Sequence, residues 1–139
     1  MSIKKQEFYE GAALHLLARN GGIRGLRYEP PLFVVNKRLL VLLKYSTKVR
    51  SPWNFTFTTD EQRLMRRKSS KAEITIGLVC GTDGVAAFSY EDYLGIAPHG
   101  KSSLHIACYR PHHKHYEVWG PEGALDGKVP PSNWQRILD

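Results

Sequence analysis

The chain has 139 residues, of which 42% are hydrophobic and 24% charged, and a net charge of +7. These values are those of an ordinary globular chain rather than a disordered one, and the length fits one domain able to bury a core without disulfide or metal staples. No apolar run approaches the roughly 18–20 residues that span a bilayer. The opening Met1-Ser2-Ile3-Lys4-Lys5 has no apolar signal region after its lysines, so a cytoplasmic protein with no membrane partner is expected.

Residues 4–19 predict an amphipathic helix, with Phe8, Ala12 and Leu16 on its core face and Ala13 and Leu17 beside them. Asn20-Gly21-Gly22 stops it, because glycine supplies the left-handed cap. Glu7 and Glu10 lie on this helix. Extended runs follow at Ile23 to Tyr28, Leu32 to Val35 and Leu39 to Tyr45. The third is apolar on both faces and is expected at the centre of a sheet covered on two sides. Trp53 to Phe57 alternates aromatic and polar residues as a half-buried strand does. Its Trp53 and Phe55 are expected to face the core.

Thr58-Thr59-Asp60-Glu61 reads as a helix start, with threonine capping the first turn and acids at the positive end. The helix Glu61 to Lys68 carries Arg63, Arg66, Arg67 and Lys68 and is expected at the surface. Glu73 to Cys80 reads as another buried strand. Gly81-Thr82-Asp83-Gly84 is a tight turn, and Val85 to Tyr90 pairs back as a hairpin. One helical turn is expected at Glu91 to Leu94. A last hairpin joins Ser103–Tyr109 to His115–Trp119, with a basic tip of Arg110, His112, His113 and Lys114. Gly120 to Pro131 reads as loop and Asn133 to Leu138 as a short closing helix.

The basic charge is uneven. Residues 37–71 hold ten of the 20 Lys and Arg, against Asp60 and Glu61 alone. Such a field favours a polyanion. Lys48, Arg50, Arg63, Arg66, Arg67, Lys68 and Lys114 are the candidates for phosphate contact. Cys80 and Cys108 sit in apolar runs and are expected as free buried thiols. His105 and Cys108 have opposite strand parity, which argues against a shared zinc site.

Lys44 closes the apolar run at Leu39 to Leu43. Burying an unpaired ammonium is costly, so this lysine must reach water or a carboxylate at the strand end. The run Val34-Val35-Asn36-Lys37-Arg38-Leu39 through Lys44-Tyr45-Ser46, followed by Ser51-Pro52-Trp53-Asn54-Phe55-Thr56-Phe57, resembles the core of the PD-(D/E)XK restriction-endonuclease-like superfamily. The resemblance covers about residues 4–80. It implies an acid on the first helix, an Asp on a strand hairpin and a Glu-x-Lys on the central strand, the acids holding divalent metal, usually Mg²⁺. Lys44 matches the family lysine and Glu10 the helix acid. Leu42 stands where the metal-binding glutamate belongs, and Pro31-Leu32 supply no Asp, with Glu29 just upstream. An apolar side chain cannot ligate Mg²⁺.

The expected fold is therefore α+β: a mixed central sheet flanked by helices, of restriction-endonuclease-like topology, with C-terminal hairpins. The leading functional expectation is nucleic-acid binding, DNA ahead of RNA, without a complete carboxylate set and without a cofactor. Two alternatives stand beside it. One is a metal-dependent nuclease using Glu10, Glu29 and Lys44, with Glu10 and Glu29 holding Mg²⁺. The other is an interaction subunit of a nucleic-acid-processing or defence complex, with a homodimer as its expected assembly.

Overall fold

In the computed structural model, which describes residues 2–98, 100–112 and 114–139, helix α1 (Lys5–Arg19) leads into strands β1 (Leu26–Glu29), β2 (Leu32–Val35) and β3 (Leu39–Ser46). Then come β4 (Trp53–Phe57), α2 (Thr59–Lys68), β5 (Glu73–Cys80), β6 (Gly84–Ser89) and α3 (Tyr90–Ile96). Strands β7 (Leu104–Tyr109), β8 (Glu117–Gly120) and β9 (Gly123–Ala124) follow, and a 3-10 helix, Pro131–Arg136, closes the chain.

The fold is α+β with two sheets. The larger has the order β1-β2-β3-β5-β6. All its pairs are antiparallel except β3 with β5, which run parallel from Leu39 opposite Glu73 to Ser46 opposite Cys80. A parallel pair needs a crossover, and the segment carrying α2 supplies it. This puts the apolar β3 in the middle of the sheet, as its composition requires. One face packs Val41 and Leu43 against Ala13, Leu17 and Trp134. The other packs Leu42, Ile76 and Leu78 against Phe55, Phe57, Met65 and Ile106. Each such side chain contributes roughly 1.5–3 kcal/mol by leaving water.

Several expectations need correction. Helix α1 buries the expected Ala13 and Leu17 and half-buries Leu16, but its inward face is rotated toward Glu10, which is buried, while Phe8 is 63% exposed and Ala12 is exposed. The inward row follows i, i+3 and i+7, and Trp134 fixes it by donating its indole N–H to the Ala13 carbonyl at 2.8 Å. Strand β1 starts at Leu26 rather than Ile23, because the N–H groups of Arg24 and Gly25 are taken by Asn36 Oδ1. Strand β4 does not extend the main sheet. It pairs with β7 in a second sheet of order β4-β7-β8-β9. The stretch read as loop holds β9 and a bridge between Tyr116 and Val129. The closing helix is a 3-10 turn that starts earlier, at Pro131, and α3 runs to Ile96 rather than Leu94.

Trp53 and Phe55 do face the core, each 2% exposed. Cys80 and Cys108 are free, buried thiols with their sulfurs 3.8 Å apart between the two sheets. His105, on the same strand as Cys108, points outward.

Candidate functional site

Lys44 sits at the carboxyl end of β3, on the face that looks toward α2. The capping threonine Thr58 fixes the start of that helix by accepting from the Glu61 N–H at 3.1 Å. Glu61 reciprocates, accepting from the Thr58 N–H at 2.9 Å, which completes a capping box. The same carboxylate meets Lys44, whose ammonium donates to both oxygens at 2.9 and 2.8 Å. Their side chains are 19% and 16% exposed, so the pair is only partly screened by water. The ammonium also lies 5.4 Å from the centre of the Phe57 ring.

Glu10 approaches from the other side of the sheet, on α1. The Gln6 amide donates to it at 3.0 Å. Its carboxyl is held above the ordinary range. Burial is the main cause, the Gln6 hydrogen bond opposes it, the Glu7 charge adds to it, and the Lys44 charge opposes it. Glu10, Lys44 and Glu61 line one cleft of about 420 Å³, with Gln6, Asn54 and Thr56 on its walls.

Of the acids expected from sequence, Glu10 reaches this cleft and Glu29 does not line it. Glu29 lies on the exposed strand β1 with its carboxylate engaged by Arg27. Glu61 takes its place beside the lysine. No spacing rule marks it, because 17 residues and strand β4 separate the two, and their meeting depends on where the crossover helix begins.

As arranged, the set does not fit a resident divalent metal. Both Glu61 oxygens already face the Lys44 ammonium, and the second carboxylate, Glu10, accepts from the Gln6 amide. Among the described residues no group of three or more His, Cys, Asp or Glu is placed to hold a metal ion.

Of the expected cations only Lys44 lines the cleft; the others lie on neighbouring loops and along α2. Lys48 and Arg50 lie on the loop that leaves the same end of β3, and both are exposed. Gly81 holds that loop by donating its N–H to the Ser46 carbonyl at 2.8 Å. Its φ is +55°, and a Cβ there would stand 2.3 Å from the Lys48 carbonyl oxygen, so this turn needs glycine. Arg63, Arg66 and Arg67 are exposed along α2 and share one side by their i, i+3 and i+4 spacing. Lys68 is half-buried at the far end of that helix. Lys114 is exposed on the β7–β8 loop, where its carbonyl accepts from Arg110 at 2.7 Å. His113 of that tip lies outside the described residues. Among the described residues Arg63 is paired with Asp60, while Lys48, Arg50, Arg66, Arg67, Lys68 and Lys114 form no ion pair. Among the described residues no helix is long and apolar enough to cross a membrane.

Comparison of the chain with protein-family models, with curated proteins and with solved structures returns no significant match.

Proposed function

We propose that this protein binds nucleic acid through the basic surface around the Lys44 cleft, without cutting it. The observation that carries this reading is the set of exposed cations with no acidic partner on the loop after β3, along α2 and at the β7–β8 loop. Cations left unpaired at a surface are available to replace the counterions of a phosphate backbone. The element order, a helix, three meandering strands, β4, a crossover helix and a parallel strand, resembles that expected of the restriction-endonuclease-like family. This likeness supports a nucleic-acid ligand by analogy only. The pairing of both Glu61 oxygens with Lys44 supports binding over hydrolysis.

A second reading, a metal-dependent nuclease, draws on one observation: two carboxylates and a lysine line one cleft. It requires Lys44 to release Glu61 when a metal and a phosphate enter together, since Mg²⁺ needs oxygen ligands.

One assay tests both. Labelled single- and double-stranded DNA and RNA are titrated at several salt concentrations, with EDTA and with Mg²⁺ or Mn²⁺, and the strands are checked on a denaturing gel. The expected result is affinity that falls steeply with salt and intact strands in metal. Metal-dependent cutting that disappears in Lys44→Ala replaces the first reading by the second. Absence of binding at low salt removes both.

A further inference from the structure

We infer that the outer face of the four-stranded sheet is a platform on which unpaired bases stack, leading a single strand of nucleic acid to the Lys44 cleft. This rests on the nucleic-acid reading above and names its substrate class.

Strand alternation sends Trp53, Phe55, Ile106, Cys108 and Val118 into the core. The opposite face therefore presents Asn54 and Thr56 from β4, His105, Ala107 and Tyr109 from β7, and Trp119 from β8. The register sets them side by side: Asn54 is opposite Ala107 and Ala107 opposite Trp119, while Thr56 is opposite His105. Tyr109 is opposite Glu117, which makes it a diagonal neighbour of Trp119.

Two large aromatics stay in water on this face, Tyr109 at 41% and Trp119 at 45% exposure. Neither stacks on another ring among the described residues. A solvated sheet face has no need of a tryptophan, whose body gains most from leaving water. Ala107 between them leaves the floor flat. Around them stand hydrogen-bonding groups rather than further apolar ones, and Thr56 meets His105 Nδ1 at 3.1 Å. A face built to receive a second protein through burial would be apolar across its middle. This one mixes isolated rings with polar groups.

Charge selects the same occupant. Lys48 and Arg50 lie on the segment leading into β4 and Lys114 on the β7–β8 loop, all exposed. Glu117, the acid on this face, has its carboxylate 3.8 Å from Lys128. Rings that stack bases beside cations that hold the backbone are the features of single-strand recognition. A duplex hides its base faces and has no use for the rings. The platform is also continuous with the cleft, because Asn54 and Thr56 line both.

The test uses the full chain with fluorescein-labelled oligo(dT) and a blunt duplex hairpin at low salt. Trp119→Ala and Tyr109→Ala are each expected to weaken oligo(dT) binding about tenfold or more, with duplex binding changed less than about twofold. Trp119→Phe, which keeps a ring, is expected to retain most of the affinity. Unlabelled oligo(dT) should quench the tryptophan emission of the unaltered chain but not that of Trp119→Phe, since Trp53 and Trp134 are buried. Unchanged oligo(dT) affinity in both alanine variants overturns the platform and leaves the nucleic-acid reading standing. Equal losses for oligo(dT) and duplex overturn the single-strand preference. If the unaltered chain binds neither probe, nor the RNA substrates of the parent assay, the parent reading has failed and the platform with it.

Discussion

Lys44 and Glu61 are joined by two hydrogen bonds, at 2.9 and 2.8 Å, that tie the end of the central strand to the first turn of the crossover helix. The contact is worth more than a surface ion pair because both side chains are mostly out of water. It also lets one carboxylate serve as helix cap and as counterion.

Removing the lysine leaves Glu61 with its helix-cap donors alone. Lys44→Met is expected to destabilise the fold by about 1–3 kcal/mol. Glu61→Gln should cost a similar amount, through the pair and the capping box together. The double variant should lose less than the sum, with a coupling of roughly 0.5–3 kcal/mol. Urea midpoints of the four proteins check this. Strict additivity would show that the two residues do not interact in solution.

Stability should fall as pH rises past the ordinary carboxyl range. The Glu10 carboxyl is raised above its usual value of 4.5, first by burial. The folded state thus holds the proton more tightly than the unfolded chain. Stability from this group is full below 4.5 and is lost as pH climbs through the folded value. Glu10→Gln should remove that decline and be the more stable form near neutral pH. Gln6→Leu, which takes away the hydrogen bond favouring the ionised form, should steepen it. Urea unfolding of the three proteins between about pH 4 and about pH 7 is the measurement. A decline of the same size in Glu10→Gln assigns the effect to another group.

The two sides of helix α1 should differ sharply in tolerance. Phe8→Ser removes an exposed ring and is expected to change stability by less than about 0.5 kcal/mol. Leu17→Ala opens a hole against the sheet and is expected to cost about 2–5 kcal/mol. Equal costs would restore the face on which Phe8 was expected to pack.

The same helix shows what the sequence can and cannot convey. Its apolar residues occupy more than half the circumference, so spacing alone allowed two inward faces. Trp134, far along the chain, chose between them by its hydrogen bond to Ala13. Strand β3 was legible because it is apolar on both sides. Of the second sheet only the β7–β8 hairpin was legible, because β4 finds its partner only in the distant β7. At the cleft, Lys44 and Glu10 were found through the family resemblance, and Glu61 was hidden because its pairing depends on where the crossover begins. The outward aromatics were readable in principle: with Ile106, Cys108 and Val118 turned inward, Tyr109 and Trp119 fall in the outward register.

The pairing of β4 with β7, from Trp53 opposite Cys108 to Phe57 opposite Leu104, also sets an order of events during synthesis. The β1–β3 meander closes through neighbouring segments and can form as soon as it leaves the ribosome. Strand β4 has no such neighbour. Trp53, Phe55 and Phe57 remain on an unpaired edge until residues 104–109 have been made. A nascent chain stalled before Leu104 therefore displays three aromatic rings on a free strand, the form of this polypeptide most prone to aggregate and most in need of a chaperone.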